Sequence, residues 1–158
     1  MSIPWPCNHL LLNYFNVQLQ QLVYQSKATL PFSAGQLEHL LGPWRAYNHS
    51  QLISGLLLYG DEDIIQVIEG PEDNVHALFQ TIAADARHYD VIILADGPVP
   101  ERAFAEWSMG FGALDAPRRQ QLVGYVGPGL SQNGLPMSPG QWPELTAMLR
   151  EFAAHQLS

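Results

Sequence analysis

The sequence predicts an α+β fold built around one β-sheet, and three observations support this prediction. First, several short runs of β-branched and aromatic residues, bounded by Gly, Pro, Asn or Asp, are typical of strands. Second, two stretches between these runs carry apolar residues at helical spacing. Third, a chain of 158 residues with 47% hydrophobic residues suits one compact domain with a sizeable core.

The charge balance and the N-terminal pattern restrict the classes of function. The formal charge is −8, and the 7 Lys and Arg residues are scattered, which argues against a nucleic-acid partner. The single cysteine, Cys7, excludes an internal disulfide. The sequence shows no signal-peptide pattern and no apolar run of about 18 residues. We therefore expect a cytoplasmic protein with no membrane association.

The first β-α unit spans residues 19–48. Residues 19–26 alternate as a strand, which places Tyr24 on the same face as apolar neighbours. Ser33 is suited to cap a helix whose leucines are spaced for one buried stripe. Within that helix, Gly42-Pro43 predicts a break or a kink.

A hairpin and a second α-β unit follow, recognised by alternating strand patterns, turn residues and one further helical stripe. In chain order, the predicted elements are a strand over 51–59, a tight connection at 60–63, a strand over 64–70, a helix over about 71–85, a strand over 89–94, a loop over 97–100 and a short fifth strand over 107–111.

The element order βαββαββ predicts a ferredoxin-like sheet with two helices on one face. In its usual strand order, 4-1-3-2, the first and third strands are central neighbours, and we expect them to be parallel. Tyr24 and Gln66 then lie next to each other beneath the helices. We expect an N-terminal extension over 1–18, the sheet domain over 19–113, and a C-terminal extension over 114–158 whose capping helices cover the other sheet face.

Gln66 is the residue that least suits its own strand. It stands in a run of β-branched residues, where a buried amide without partners would cost about 1–3 kcal/mol. Alternation places it on one face with Ile64 and Ile68. Two interpretations stay open: the amide is bonded to backbone or a neighbouring tyrosine within the core, or it faces a ligand.

No catalytic or metal-binding motif stands out in the sequence. The histidines lack the close spacing of metal ligands, so we expect no metal site. Glu69 and Asp85 each lie at an element end, where turn or capping roles are common. The serines have no nucleophile-elbow context, and the glycine pairs do not form a phosphate loop. These observations favour a protein that is not an enzyme.

Five blocks of the sequence follow one another in a characteristic order and spacing: Tyr24-Gln25-Ser26, Asn48 followed by Ile53-Ser54-Gly55-Leu56-Leu57-Leu58-Tyr59, Ile65-Gln66-Val67-Ile68-Glu69-Gly70, Asp85-Ala86-Arg87-His88 and Trp107-Ser108-Met109-Gly110. In this order and spacing, the blocks resemble the motif set of the BLUF family, the blue-light sensors using FAD. The resemblance covers about residues 19–113 and agrees with the predicted sheet.

This resemblance implies a non-covalently bound FAD whose ring lies between the two helices above the sheet. Tyr24 would donate an electron and a proton to the excited flavin, and Gln66 would be the hydrogen-bonding switch beside it. The other cofactor-binding residues that the resemblance implies are Ser26, Asn48, Leu57, Ile64, Asp85, Arg87 and His88. The implied signalling residues, both expected on the last strand, are Trp107 and Met109.

The resemblance also implies a short, single-domain photoreceptor without enzymatic activity, whose output passes to an unidentified protein partner or changes a homo-oligomer. One alternative is a flavin-free member of the family that acts as a protein-interaction module. It is motivated by Trp44 and Tyr47 and by the interruption at Gly42-Pro43. A flavin reductase is disfavoured, because the sequence does not indicate a nicotinamide-binding fold.

Overall fold

The computed structural model describes residues 18–121 and 147–151. In chain order, the main elements are β1 (Leu19–Ala28), α1 (Ala34–Ser50), β2 (Ser54–Gly60), β3 (Asp63–Pro71), α2 (Glu72–Ala83), β4 (His88–Pro98) and β5 (Gly110–Ala113). The strands form one five-stranded sheet in the order β4-β1-β3-β2-β5. This order confirms the predicted ferredoxin-like α+β fold, with β5 added beside β2.

The two central strands, β1 and β3, are antiparallel, so the expectation of a parallel pair was wrong. The topology explains the error. The helical crossover makes β1 and β2 run in the same direction, and the hairpin inserts β3 between them in the opposite direction. The register places Tyr24 directly opposite Gln66, so the predicted adjacency of the two residues is confirmed.

Helix α1 continues through Pro43, so the predicted break is absent. The expected N-cap is confirmed, because the Ser33 side chain accepts a hydrogen bond from the Gln36 backbone N–H and a full capping box is present. Pro43 removes one helical N–H, which leaves the carbonyl of His39 without its usual donor. Both residues are exposed, so water can satisfy that carbonyl, and the helix continues along its buried stripe.

Strand β4 is longer than predicted, and β5 begins later. Gly97 and Pro98 pair with β1 rather than forming a loop, and proline is tolerated there because β4 is an edge strand. The fifth strand starts at Gly110, not at Trp107. The backbone just before Gly110 is bonded to side chains of α1, which takes it out of the β2 ladder.

The sheet separates two hydrophobic cores. On one face, β1, β2 and β3 pack against α1 and α2, with residues such as Leu37 and Val75 buried between them. On the opposite face, the same strands contribute a second cluster that includes Phe104 and Leu149. Leu149 is fully buried there, on the helical segment 147–151. The described segment 147–151 therefore packs on the second face, where we expected the C-terminal helices to lie; the rest of that expectation concerns residues outside the described ranges.

Several predictions concern residues that lie outside the described ranges. Residues 116–121 are helical, whereas residues 122–146 and 152–158 of the predicted C-terminal extension are not described. The same holds for residues 1–17 of the predicted N-terminal extension over 1–18. Among the described residues, no helix combines the length and the hydropathy needed to cross a membrane.

Candidate functional site

A cavity of about 420 Å³ lies between the two helices and the sheet. Its walls are mainly apolar, with a few polar side chains facing the space. The predicted site residues that line it are Tyr24, Asn48, Leu57, Ile64, Gln66, Asp85, Arg87, His88 and Met109. The structure therefore brings together all of the residues named from the sequence except Ser26 and Trp107.

Tyr24 and Gln66 form the polar centre of the cavity wall. The Tyr24 hydroxyl donates a hydrogen bond to Oε1 of Gln66, and both side chains are buried. The Gln66 Nε2 donates in turn to the sulfur of Met109 at 3.4 Å. The buried amide thus has a tyrosine partner, as the first interpretation expected, and it lines a cavity, so the second interpretation, that it faces a ligand, stays a prediction.

The Tyr24 phenol is held in its neutral form. Its burial raises the hydroxyl pKa well above its usual value, and the negative charge of Asp85 raises the pKa further. The ring packs against Phe79 with centroids 5.6 Å apart and against His88 at 6.1 Å. Tyr24 is therefore a rigid group that keeps its proton at neutral pH.

His88 is fixed by partners at both ring nitrogens. Its Nε2 bonds to the backbone carbonyl of Ile82, which requires a proton on Nε2. Its Nδ1 lies 2.8 Å from the hydroxyl of Ser26, which can donate to it. Ser26 is buried behind His88 and does not line the cavity. Ser26 therefore contacts and orients the His88 ring instead of lining the cavity itself.

An ion pair and an aromatic ring meet at one side of the cavity. Arg87 contacts the carboxylate of Asp85 through Nε and Nη2, and the guanidinium holds the pKa of Asp85 at about 2, below its usual range. The same guanidinium lies over the Trp44 ring, 5.4 Å from its centroid. Arg87 therefore contributes to the cavity with its charge already balanced by Asp85.

Asn48 stands on the α1 side of the cavity and is 4% exposed. Its Nδ2 donates to the backbone carbonyl of Ser108 at 3.0 Å, and the backbone carbonyl of Asn48 accepts from the Ile53 N–H. Leu57 and Ile64, from β2 and β3, supply apolar parts of the wall. Asn48 is thus one of a few polar residues in a mostly apolar wall, and such residues can orient a bound ligand.

Trp107 lies outside the cavity, on the opposite side of the sheet. Its ring stacks on Phe104 with centroids 5.9 Å apart, and the guanidinium of Arg150 lies 5.1 Å from the ring centroid. Met109, two residues later, faces the cavity. The expectation that both residues belong to the last strand was wrong, because they precede β5 and reach opposite sides of the sheet.

Sequence reasoning did not assign several of the lining residues to the site. The helical spacing of residues in α1 and α2 indicated that they are buried, but burial alone does not distinguish a core contact from a cavity wall. Trp44 and Tyr47 had been noted only as features that favour the flavin-free alternative. The lining residues not assigned beforehand are Phe32, Leu37, Trp44, Tyr47, Tyr59, Leu78, Thr81 and Ile82.

Comparison with known proteins gives consistent relatives. A family model described as BLUF, sensors of blue-light using FAD, matches residues 19–110. The photoactivated adenylate cyclase subunit alpha of Euglena gracilis is 37% identical over 100 residues, which are 62% of this chain and 10% of that protein. The blue light- and temperature-regulated antirepressor BluF of Escherichia coli is 28% identical over 105 residues, which are 66% of this chain and 26% of that protein.

A solved structure agrees with these sequence matches. The dark-state structure of BlrB, a BLUF protein, superposes with a TM-score of 0.63 and 29% identity, and the match covers 87% of this chain and 97% of that one. The described chain spans only about a tenth of the length of the cyclase subunit. The matched family model, the ferredoxin-like sheet and the Tyr24–Gln66 pair at its cavity agree, and the chain belongs to the BLUF family, the sensors of blue light using FAD.

Proposed function

We propose that this chain binds FAD non-covalently in the cavity between α1 and α2 and signals by rearranging the hydrogen bonds of Tyr24 and Gln66. The observation that carries the proposal is the buried hydrogen bond from the Tyr24 hydroxyl to the Gln66 amide, at the wall of a ligand-sized cavity. A phenol and an amide in contact, both shielded from water, provide a proton donor and a group that can reorient.

The residues around the cavity suit a flavin ring. A volume of about 420 Å³ falls in the range of roughly 300–1,000 Å³ that small-molecule sites occupy. Leu57, Ile64 and Met109 offer apolar contact surface. The amides of Asn48 and Gln66 offer donors and acceptors for the polar edge of a flavin ring. His88, Asp85 and Arg87 complete the proposed binding set.

Each residue has a defined part in the proposed mechanism. A bound flavin would supply the absorption of blue light and an acceptor for one electron and one proton. Tyr24 would give up that electron and its hydroxyl proton, which its raised pKa keeps in place until then. Gln66, released from the hydroxyl, would rearrange, and the electron and proton would then return to Tyr24. No net redox change remains, and the signal is the altered bonding of Gln66.

The output is proposed to be a change in binding rather than catalysis. Met109 receives a hydrogen bond from Gln66, and Trp107 lies two residues away on the opposite sheet face. A rearranged amide can therefore bias the segment that joins the two sides of the sheet. We propose a cytoplasmic protein partner or a homo-oligomer as the receiver. Size-exclusion elution that does not differ between light and dark, together with no partner recovered by pull-down, would contradict this.

The decisive experiment is the absorption spectrum of the purified protein before and after reconstitution with FAD. Flavin absorption that shifts reversibly to the red under blue light is the expected result. Parallel reconstitution with FMN and riboflavin tests whether FAD is the preferred form. A protein that stays colourless after reconstitution would instead support the flavin-free interaction module.

The alternative of a flavin-free interaction module now rests on two residues of the cavity wall. Trp44 and Tyr47 both line the cavity, where their rings take up space that a ligand could otherwise fill. Because α1 continues through Pro43, the interruption predicted at Gly42-Pro43 no longer supports the alternative. The cavity that remains with both rings in place supports flavin binding over the alternative.

A further inference from the structure

Arg45, which belongs to none of the motif blocks, holds the backbone that carries Met109. The Nε–H of Arg45 on α1 donates to the carbonyl oxygen of Met109 at 2.8 Å, across 64 residues of sequence. Met109 lies just before β5 and outside its ladder. Arg45 itself is not among the cavity-lining residues of the described chain. Its side chain therefore acts on the cavity only through the backbone that it contacts.

The Met109 sulfur distinguishes between the two orientations of the Gln66 amide. It accepts a hydrogen bond from Nε2 of Gln66 at 3.4 Å, and the methionine is 1% exposed. A thioether has lone pairs but no hydrogen to donate, so it can bond the amide nitrogen but not the amide oxygen. An amide turned end for end would place Oε1 against the sulfur and lose this bond. Met109 thus favours the orientation in which Oε1 faces Tyr24.

This preference depends on where the Met109 backbone is held. A methionine side chain has three rotatable bonds and adapts to irregular space, so its own packing fixes the sulfur weakly. The neighbouring carbonyl of Ser108 is held by Asn48, at 3.0 Å. The Met109 carbonyl is held by Arg45. Without the Arg45 donor, the sulfur can move away from Gln66 while the rest of the cavity keeps its shape.

We propose that Arg45 is a positioning residue that holds the Met109 sulfur within hydrogen-bonding reach of Gln66 and so speeds the return from the light-induced to the dark arrangement. The inference rests on the proposed photoreceptor function and adds a residue to it. It assigns Arg45 to the lifetime of the signal, not to flavin binding or to the size of the red shift.

Two substitutions at Arg45 separate the hydrogen bond from the charge. Arg45→Gln removes the charge but keeps an N–H donor, because the glutamine Nε2 is separated from Cα by the same number of bonds as the arginine Nε. Arg45→Leu has no donor. Arg119→Gln serves as a control for loss of an arginine elsewhere, because Arg119 pairs with Asp61 and Asp63 near the β2–β3 turn.

Recovery of the dark spectrum after a blue-light pulse is the first readout. We expect R45L to slow recovery two- to five-fold, which corresponds to about 0.4–1 kcal/mol of activation free energy, with an unchanged red shift. R45Q and R119Q should recover at the wild-type rate. In a Met109→Leu background, R45L should have no further effect, because the sulfur is already absent. A merely structural role of Arg45 would slow both backgrounds equally.

A second readout needs neither flavin nor light. In the flavin-free protein labelled at methionine methyl groups, the Met109 signal, assigned from M109L, should shift in R45L and keep its wild-type position in R45Q. This measures whether the arginine donor positions the Met109 side chain.

The outcomes separate the two proposals. A wild type without a reversible red shift contradicts the photoreceptor function itself. A wild type that shows the shift, with R45L recovering at the same rate or slowing equally in M109L, overturns only the role of Arg45. Arg45→Met, which keeps a stem of similar length without a donor, takes the place of R45L if that variant does not fold.

Discussion

Removing one partner of the Tyr24–Gln66 hydrogen bond should destabilise the flavin-free protein more than removing both. In Y24F, Oε1 of Gln66 loses its donor in a side chain that is only 7% exposed. A buried acceptor left without a partner costs about 1–3 kcal/mol. Gln66→Leu leaves the Tyr24 hydroxyl unpaired at a similar cost. The double variant replaces both partners by apolar groups, which can be nearly neutral.

The assay is a double-mutant cycle of urea unfolding free energies measured in the dark. We expect a coupling of about 2 kcal/mol or more between Tyr24 and Gln66, because each single change costs about 1–3 kcal/mol and the double change is nearly neutral. Tyr59→Phe combined with Gln66→Leu is the matched control. Tyr59 also lines the cavity, but its hydroxyl accepts from the Phe32 N–H instead of contacting Gln66. That pair should be additive within about 0.5 kcal/mol.

The same variants test the photochemical role. Y24F keeps the ring that packs on Phe79 at 5.6 Å, so it should still bind flavin while losing the light-induced red shift. Gln66→Leu should lose the wild-type shift for a different reason, the missing amide. Additive unfolding energies for Tyr24 and Gln66 would refute the energetic reasoning. A wild-type reversible red shift in either single variant would refute the assignment of the switch.

Three further changes test other contacts. Arg87 lowers the Asp85 pKa from 3.8 to about 2, so the ion pair stabilises the fold above pH 3.8, and this stabilisation is lost as the pH falls through about 2. In Asp85→Asn, the free energy of unfolding should therefore change less between these two pH values than it does in the wild type. Glu69→Ala should cost about 3 kcal/mol or more in urea unfolding, because the fully buried carboxylate accepts from two backbone N–H groups and two side chains. Gly110→Ala should cost about 1–3 kcal/mol and change tryptophan fluorescence, since its Cβ would lie 2.8 Å from the Trp107 ring; an unchanged spectrum would contradict this.

The adjacency of Tyr24 and Gln66 could be predicted because it depends on two robust patterns. Alternation along each strand fixes which face a side chain occupies, and the βαββ order fixes which strands are neighbours. The neighbour relation of the two strands and the shared face do not depend on the relative direction of the strands, whereas the pairing of Tyr24 directly opposite Gln66 belongs to the observed antiparallel register. This explains why the pair was identified even though the central strands were expected to be parallel.

The start of β5 could not be predicted, because it is decided by contacts between distant residues. The carbonyls of Ser108 and Met109 accept from Asn48 and Arg45, which lie on a helix about 60 residues earlier. A local pattern of apolar residues around Trp107 contains no information about such donors. The side of the sheet that Trp107 occupies is likewise set by Phe104 and by Arg150, far along the chain.

Strand β3 links the cavity to the other face of the sheet. Gln66 faces the cavity, and Glu69, three residues later, faces the opposite core, where it accepts hydrogen bonds from the backbone N–H groups of Ala103 and Phe104. The chain from Phe104 then returns to the cavity at Met109, which contacts Gln66. The segment is thus fixed to β3 at both ends.

A rearrangement of Gln66 acts on one end of this segment while Glu69 holds the other. A displacement of Met109 must therefore be taken up between the two, where Trp107 lies. Trp107 stacks on Phe104 and contacts Arg150 of the C-terminal helical segment. The proposed signal consequently predicts that Trp107 changes its environment more than Phe104 does. The test is the difference in Trp107 fluorescence between light and dark, measured after the other tryptophans have been substituted. We expect a difference, and its absence would mean that the segment moves as one rigid body.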